Sequence, residues 1–208
     1  QASGANETQR LIKRELLKRD LVDRLSVRIT GCHGFCEMGP FILTDPQGAL
    51  YVKVSDEDVP RIVEAVLNND YVEDLLYRDP VTGKVCRHQD EIPFYAKQRR
   101  TILGRNQTLD PIRLSNYLAT GGYSALESVI ESRTPESIID EIKRSGLRGR
   151  GGGGFLTGVK WEMMAKQPNR GAKYVVCNAD EGDPGAYMDR SIIETDPHSV
   201  IEGMLIGA

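Results

Sequence analysis

The sequence predicts an α/β fold in two parts, on three observations. Between residues 6 and 67, segments of helix and strand period follow one another in an α-β-β-β-α order. From Asp110 the pattern changes to short capped helices. Six glycines then fall within the nine residues Gly146–Gly154, opening onto a further helical segment and a strand-length apolar run. The expected division is a first part over 1–70, a connector over 71–109 and a second part over 110–208.

In the first part, Asn6-Glu7-Thr8-Gln9 resembles a capping box, and Leu11, Ile12, Leu16 and Leu17 follow at helical spacing. Leu25, Val27 and Ile29 alternate with polar residues, as on a half-buried strand. Phe41–Thr44 and Leu50–Val54 flank the turn residues Asp45-Pro46-Gln47-Gly48, which predicts a hairpin. Ser55-x-x-Asp58 opens a helix with Val59, Ile62, Val63, Val66 and Leu67 on one face. This order suits a small thioredoxin-like layer fold. Residues 71–108 are polar with weak periodicity and read as a connector across a surface. Further on, Asp110-Pro111, Ser124-x-x-Glu127 and Thr134-Pro135-Glu136 each start a helix, the first ended by Gly121-Gly122 and the third carrying Ile138, Ile139 and Ile142 as its core stripe. A helix over about 157–166 and a buried strand over Lys173–Asn178 complete the second part.

The bulk numbers narrow the function. In 208 residues, 39% hydrophobic and 27% charged content with a net charge of −3 describe a soluble globular chain without the basic excess that nucleic acid or an anionic membrane would call for. No apolar run reaches the ~18–20 residues of a spanning helix. Four cysteines are too few for a secreted disulfide scaffold, which points to a reducing, cytoplasmic setting. The chain opens without methionine and stops within the apolar run Val200–Ala208, so a piece of a longer protein is expected.

Three clusters carry chemistry. The glycine loop admits φ > 0 and lets backbone N–H groups approach a ligand; ahead of a helix it suits a phosphate of a nucleotide or flavin. Its arginines and the following Phe155, Lys160 and Trp161 set it apart from a Gly/Ser linker. Phe155 and Trp161 are either core or, for Phe155, a stacking surface. Asn178, Asp180, Glu181 and Asp183 can serve ribityl hydroxyls and a ring edge, with a metal site as the rival for the carboxylates. Cys32-His33-Gly34-Phe35-Cys36 can hold one iron of a cluster, half a zinc site or a redox disulfide, with His33 bonding locally. Cys86 reads as a surface thiol or a partner contact, and Cys177 as a small core residue.

Gly146–Phe155 with Thr157–Trp161, and Tyr174–Glu181 continued by Asp183-Pro184-Gly185 and Asp189-Arg190, resemble the FMN- and NADH-binding subunit of NADH dehydrogenases. Thr30–Pro40 resembles the second half of the cluster motif of a thioredoxin-like [2Fe-2S] ferredoxin domain. In domain order the chain is similar to the diaphorase (beta) subunit of NAD(P)-linked, often electron-bifurcating, [FeFe] hydrogenases. The resemblance implies a truncated thioredoxin-like ferredoxin domain followed by the N-terminal part of a Rossmann-like α/β flavin- and nucleotide-binding domain.

Carried over by position, it implies FMN on Gly149, Arg150, Gly151, Lys160, Asn178, Asp180 and Glu181. NAD(H) or NADP(H) is implied near Phe155, Asp183 and Met163, with Glu181 tuning the flavin. Respiratory members have Glu in place of Asp183 and an aromatic in place of Met163, which leaves the choice of nucleotide open. Cys32 and Cys36 would supply two ligands of a [2Fe-2S] cluster, the other pair lying before Gln1; [4Fe-4S] ligands would lie beyond Ala208. The implied activity is hydride exchange between NAD(P)H and FMN with single electrons passed to iron–sulfur clusters. The implied partners are other subunits of a hetero-oligomeric oxidoreductase, among them a hydrogenase catalytic subunit and a small [2Fe-2S] subunit. Formate dehydrogenase and quinone reductase subunits are alternatives within the family. A non-catalytic electron-transfer and assembly module and a thiol–disulfide protein are alternatives of other classes.

Overall fold

The first helix, α1 (Ala5–Lys18), closes its first turn on Gly4, whose carbonyl accepts from the amides of Glu7 and Thr8 at 2.9 and 3.1 Å. Gly4 sits at φ 85°, so glycine rather than the expected Asn6 takes the N-cap position. The structure, a computed structural model, describes residues 4–169 and 171–208. It divides into two units, Gln1–Asp110 and Pro111–Ala208.

In the first unit, α1 packs on α2 (Val59–Asn68). Leu16 and Val63 are buried between them with Leu21, while Leu17 turns out to solvent. Ahead of α2, the backbone N–H and hydroxyl of Ser55 both donate to the Asp58 carboxylate, at 2.9 and 2.6 Å. That contact holds the Asp58 carboxyl below its usual range. The expected hairpin forms as β1 (Ile42–Leu43) and β2 (Leu50–Tyr51), antiparallel with Ile42 opposite Tyr51. Gly48 turns the chain at φ 73°, its N–H on the Thr44 carbonyl at 2.7 Å.

Two expectations meet a different outcome here. Leu25, Val27 and Ile29 keep their alternation, half-buried with Ser26 and Arg28 exposed between them, but form no strand. Period 2 specifies which side chains turn inward; a strand also needs a backbone ladder, and neither two-residue strand of the hairpin reaches this segment. Residues 71–108, expected as a surface connector, instead supply a second hairpin, β3 (Tyr77–Arg78) with β4 (Val85–Cys86), and a short helix, α3 (Pro93–Ala96). They bury Val72, Leu76, Tyr77, Cys86, Ile92 and Tyr95 against the first hairpin. Bridges from Tyr51 to Leu76 and from Ala49 to His88 tie the segment to β2 and its turn. Its core residues are spaced irregularly along the chain, so no helix or strand period announces them.

The second unit is helical: α4 (Leu114–Ala119), α5 (Ser124–Ser132), α6 (Pro135–Ser145), α7 (Thr157–Ala165), α8 (Met188–Thr195) and α9 (Pro197–Gly207). α4 begins after Arg113 rather than at Asp110-Pro111. α6 is capped as expected: Thr134 accepts from the Ser137 amide at 3.3 Å, Pro135 takes the first position, and Gly146 ends the helix at φ 66°. Ile138, Ile139 and Ile142 are half-buried on it.

α6 and α7 come so close that a Cβ on Gly158 would lie 2.5 Å from the Lys143 nitrogen. Lys143 and Glu162 bridge the pair at 3.2 Å. On the other side, the buried Glu202 of α9 accepts from the Tyr117 hydroxyl and from the amides of Tyr123 and Leu126, at 3.0 and 3.3 Å for the amides. A carboxylate of α9 thus caps the N-terminus of α5.

The strand expected over Lys173–Asn178 is not formed. Tyr174 and Val176 are each 79% exposed, and Cys177, expected in the core, is exposed too. Among the described residues of this unit, the one β contact is the Arg148–Leu156 bridge, so the run has no ladder to join and no Rossmann-like sheet is formed. The described residues therefore form a mixed α/β chain of many helices and two small antiparallel hairpins. Among them, no helix is long and apolar enough to cross a membrane.

Candidate functional site

The glycine loop runs from the left-handed Gly146 that ends α6 to the first turn of α7. Its mouth is laced by main-chain bonds, Gly149 N–H to the Phe155 carbonyl and Thr157 N–H to the Leu147 carbonyl, both 2.9 Å. Arg148 turns inward and donates to the Gly154 carbonyl at 2.9 Å, bracing the loop. Between these ties, among the described residues, the backbone N–H groups of Arg150 to Gly154 donate no hydrogen bond within the chain. A Cβ on Gly151, Gly152, Gly153 or Gly154 would meet nothing within 4 Å, and Gly152 and Gly154 hold φ of 98° and 59°. Unused donors, open space and a helix N-terminus are what an anion-binding loop offers.

Arg150 lies exposed in this loop and Lys160 exposed on α7; among the described residues neither forms an ion pair. Phe155 is 56% exposed at the loop's end, which decides against its reading as core. Met163, also exposed, follows on α7. Trp161 is half-buried beside α9, its ring within 3.2 Å of where a Cβ of Gly207 would stand.

The second motif is tied to α8. Asn178 accepts from the Asp180 amide at 3.1 Å, making a side-chain-closed turn. Glu181 reaches the start of α8: Oε1 accepts from Met188 and Asp189 amides at 2.7 and 3.2 Å, and Oε2 from the Arg190 amide at 3.2 Å. Burial alone would raise its carboxyl; these N–H groups outweigh it and hold the acid below its ordinary range. Asp180 and Asp183 are exposed. Among the described residues, no hydrogen bond or ion pair joins 178–183 to the glycine loop, and no group of three or more His, Cys, Asp and Glu side chains is placed to hold a metal.

The lowered acid gives a sign. A carboxyl whose folded pKa lies below its unfolded one stabilises the fold above the unfolded value, and that contribution is lost as pH falls through the folded one. The first turn of α8 should therefore loosen on acidification below the ordinary Glu range. Amide chemical shifts of Met188–Arg190 report it: they should titrate together in the parent chain and stay flat in Glu181→Gln. Unchanged wild-type shifts would remove Glu181 from this cap.

In the first unit, Cys32 and Cys36 are both exposed while His33 and Phe35 between them are buried. His33 is 3% exposed; its Nδ1 meets the Tyr95 hydroxyl at 3.1 Å and its Nε2 the Thr30 hydroxyl at 3.3 Å, the local bonding its position suggested. Burial, helped by the Arg100 cation, pushes the imidazole down to about 4, so it is neutral at pH 7. Phe35 stacks on Phe94, centroids 4.6 Å apart. Cys86, expected as a surface or contact thiol, is buried, with its sulfur 3.6 Å from the Glu91 carbonyl, and burial raises its pKa. Tyr95, Arg100 and Asn106 hold the thiol loop from 62 to 74 positions away, beyond the reach of any spacing rule.

Residues 142–208 match the family model described as the Nuo51 FMN-binding domain. The chain is 50% identical over 111 residues to the NADP-reducing hydrogenase subunit HndC of Solidesulfovibrio fructosivorans, covering 53% of this chain and 22% of that one. It is 50% identical over 95 residues to an NADH-quinone oxidoreductase subunit of Rhizobium meliloti (46% of this chain, 22% of the relative). With the corresponding NADH-quinone oxidoreductase subunit of Escherichia coli the identity is 43% over 98 residues (47% and 22%). The chain thus spans about a fifth of the length of the curated relatives it matches. Residues 142–208, which contain both the glycine loop and the Asn178–Glu181 motif, are similar to the Nuo51 FMN-binding domain.

Proposed function

We propose that this chain is part of an NAD(P)H dehydrogenase (diaphorase) subunit that binds FMN and exchanges hydride between NAD(P)H and the flavin. The observation that carries the reading is the laced glycine loop with its unused N–H groups at the head of α7. Gly149 and Gly151 shape the cradle, and Arg150 and Lys160 supply cations for the phosphate. Asn178 and Asp180 are assigned to the ribityl chain and ring edge, and Phe155, Asp183 and Met163 to the nicotinamide nucleotide. Glu181 is the candidate for tuning the flavin. Bound FMN supplies the conversion between two-electron and one-electron transfer. The protein's part is to hold the rings in register and to surround the flavin with hydrogen bonds and charge; no side-chain acid or base is needed for hydride transfer.

We further assign Cys32 and Cys36 as two ligands of a [2Fe-2S] cluster in a thioredoxin-like domain. Both thiols stand on the outside of one short loop, and the Gly34 N–H donates to the Cys32 sulfur at 3.4 Å, the contact that steadies a metal-bound thiolate. The other ligands, [4Fe-4S] clusters and the partner subunits lie outside these residues. A cytoplasmic hydrogenase complex that bifurcates electrons is the assembly favoured by the order of the two parts and by the likeness to HndC. Membership of a formate dehydrogenase or an NADH-quinone oxidoreductase is the second reading, supported for the latter by the relatives from Rhizobium meliloti and Escherichia coli.

Anaerobic titration of the intact parent complex with NADH, and separately NADPH, tests this. The flavin band should bleach within the first equivalent, followed by the iron–sulfur absorption, and the nucleotide that bleaches at the lower concentration is the substrate. A complex that retains FMN and iron but bleaches with neither nucleotide refutes the dehydrogenase and leaves an electron-transfer and assembly module.

A further inference from the structure

We propose that Arg100 is a positioning residue for the thiol pair: by polarising the His33–Gly34 peptide it strengthens the N–H bond to the Cys32 sulfur and sets the potential of the iron–sulfur group. The inference rests on the assignment of Cys32 and Cys36 as cluster ligands.

One peptide unit carries the argument. Its oxygen, the His33 carbonyl, accepts from Arg100 Nη2 at 2.6 Å; its nitrogen, the Gly34 N–H, donates to Cys32 Sγ at 3.4 Å. In a trans peptide the C=O and N–H dipoles are aligned in sense, so a cation at the oxygen makes the hydrogen at the other end more positive. The guanidinium therefore acts on the sulfur through the peptide as well as through space.

Arg100 is itself held. Its guanidinium lies over the rings of Phe94 and Tyr95, 5.7 and 5.5 Å from their centroids, so the charge is placed rather than tethered on a free stem. The peptide is fixed from both sides as well. On one, the buried His33 ring is bonded to Tyr95 and Thr30. On the other, Gly34 holds φ 76°, and a Cβ there would sit 3.8 Å from the Phe94 ring. Asn106, 1% exposed, donates to the Cys32 carbonyl at 3.4 Å. Two successive carbonyls, of Cys32 and His33, are thus drawn to donors in the 94–106 segment. Their negative ends are occupied there, and the positive Gly34 N–H is left for the sulfur.

Hydrogen bonds to cluster sulfurs favour the reduced, more negative state and raise the potential. Removing the cation should lower the potential and loosen the ligand. The experiment uses the intact parent complex with Arg100→Gln, Arg100→Lys and Arg99→Gln. Arg99 is an exposed neighbour of equal charge, so its variant controls for net charge alone. Redox titration followed by electron paramagnetic resonance reads the cluster's potential and g-values, and chelator challenge reads its loss.

Arg100→Gln should shift the potential negative, alter the g-values and speed cluster loss by roughly 10- to 100-fold, the range for outer partners of metal ligands. Arg100→Lys should restore part of the shift, and Arg99→Gln should match wild type. Equal potentials in wild type and Arg100→Gln overturn the inference, as does an equal shift in Arg99→Gln. Cys32→Ser separates the underlying assignment. If it leaves the same cluster signal intact, Cys32 is not a ligand, and both the assignment and the inference fall. If it abolishes the signal while Arg100→Gln does nothing, only the inference falls.

Discussion

Gly158→Ala should lower the stability of the Pro111–Ala208 unit by about 2 kcal/mol, although alanine is the better helix former by about 1 kcal/mol. The new methyl would stand 2.5 Å from the Lys143 nitrogen, 2.6 Å from its Cγ and 2.8 Å from its Cα. A side-chain tip can swing away, but two of these three atoms are α6 backbone, so the helices must separate. That breaks the Lys143–Glu162 bridge and shifts the glycine loop strung between the same two helices. Gly203→Ala is the matched contrast: on α9 its methyl meets nothing within 4 Å, so it should stabilise by about 0.5–1 kcal/mol. Urea midpoints of the full-length variants, followed by the fluorescence of Trp161 on α7, read both. A wild-type midpoint for Gly158→Ala would mean that the two helices stand farther apart than described.

Glu202→Ala should cost about 2–4 kcal/mol, the sum of a lost charge-assisted bond and buried donors left short of an acceptor. Three donors converge on this carboxylate: the Tyr117 hydroxyl and the amides of Tyr123 and Leu126. Beside them the Tyr123 hydroxyl meets His198 Nδ1 at 2.9 Å, and the Tyr117, Tyr123 and His198 rings pack within 6 Å of one another. Glu202→Gln keeps one oxygen and should fall between wild type and alanine. Hydrogen exchange at Tyr123 and Leu126 localises the effect: both amides should lose protection in the alanine variant, with α6 unaffected. Protection retained at both would show that solvent or another group replaces the cap.

These two sites also show where the sequence stops being readable. The start of α6 was legible because Thr134 and Pro135 do their work within one turn, and the β1–β2 hairpin because Asp45–Gly48 contains its own turn chemistry. The glycine loop was legible from composition alone. Glu202, by contrast, caps a helix 76 to 79 positions earlier, and a lone Glu in an apolar run gives no sign of its partners. The three amide partners of Glu181 on α8 come from a turn that leaves no mark in the spacing. Lys173–Asn178 had the composition of a buried strand, yet composition fixes only what a segment would do beside a ladder. The reading of 71–108 as a connector missed the residues that grip the thiol loop because those contacts are set by tertiary packing.

The lacing of the glycine loop has a thermodynamic consequence. Bringing the ends of a flexible loop together costs chain entropy, and in an open loop that cost would fall on ligand binding. Here the bonds at Gly149 and Thr157 have already joined the ends during folding. What an arriving phosphate must still freeze is the short run of glycines between them, the residues with the most backbone freedom to lose. Affinity at this site should therefore be governed less by capture than by stiffness, and each glycine whose φ an alanine could adopt is a place where binding could be tightened without adding a contact.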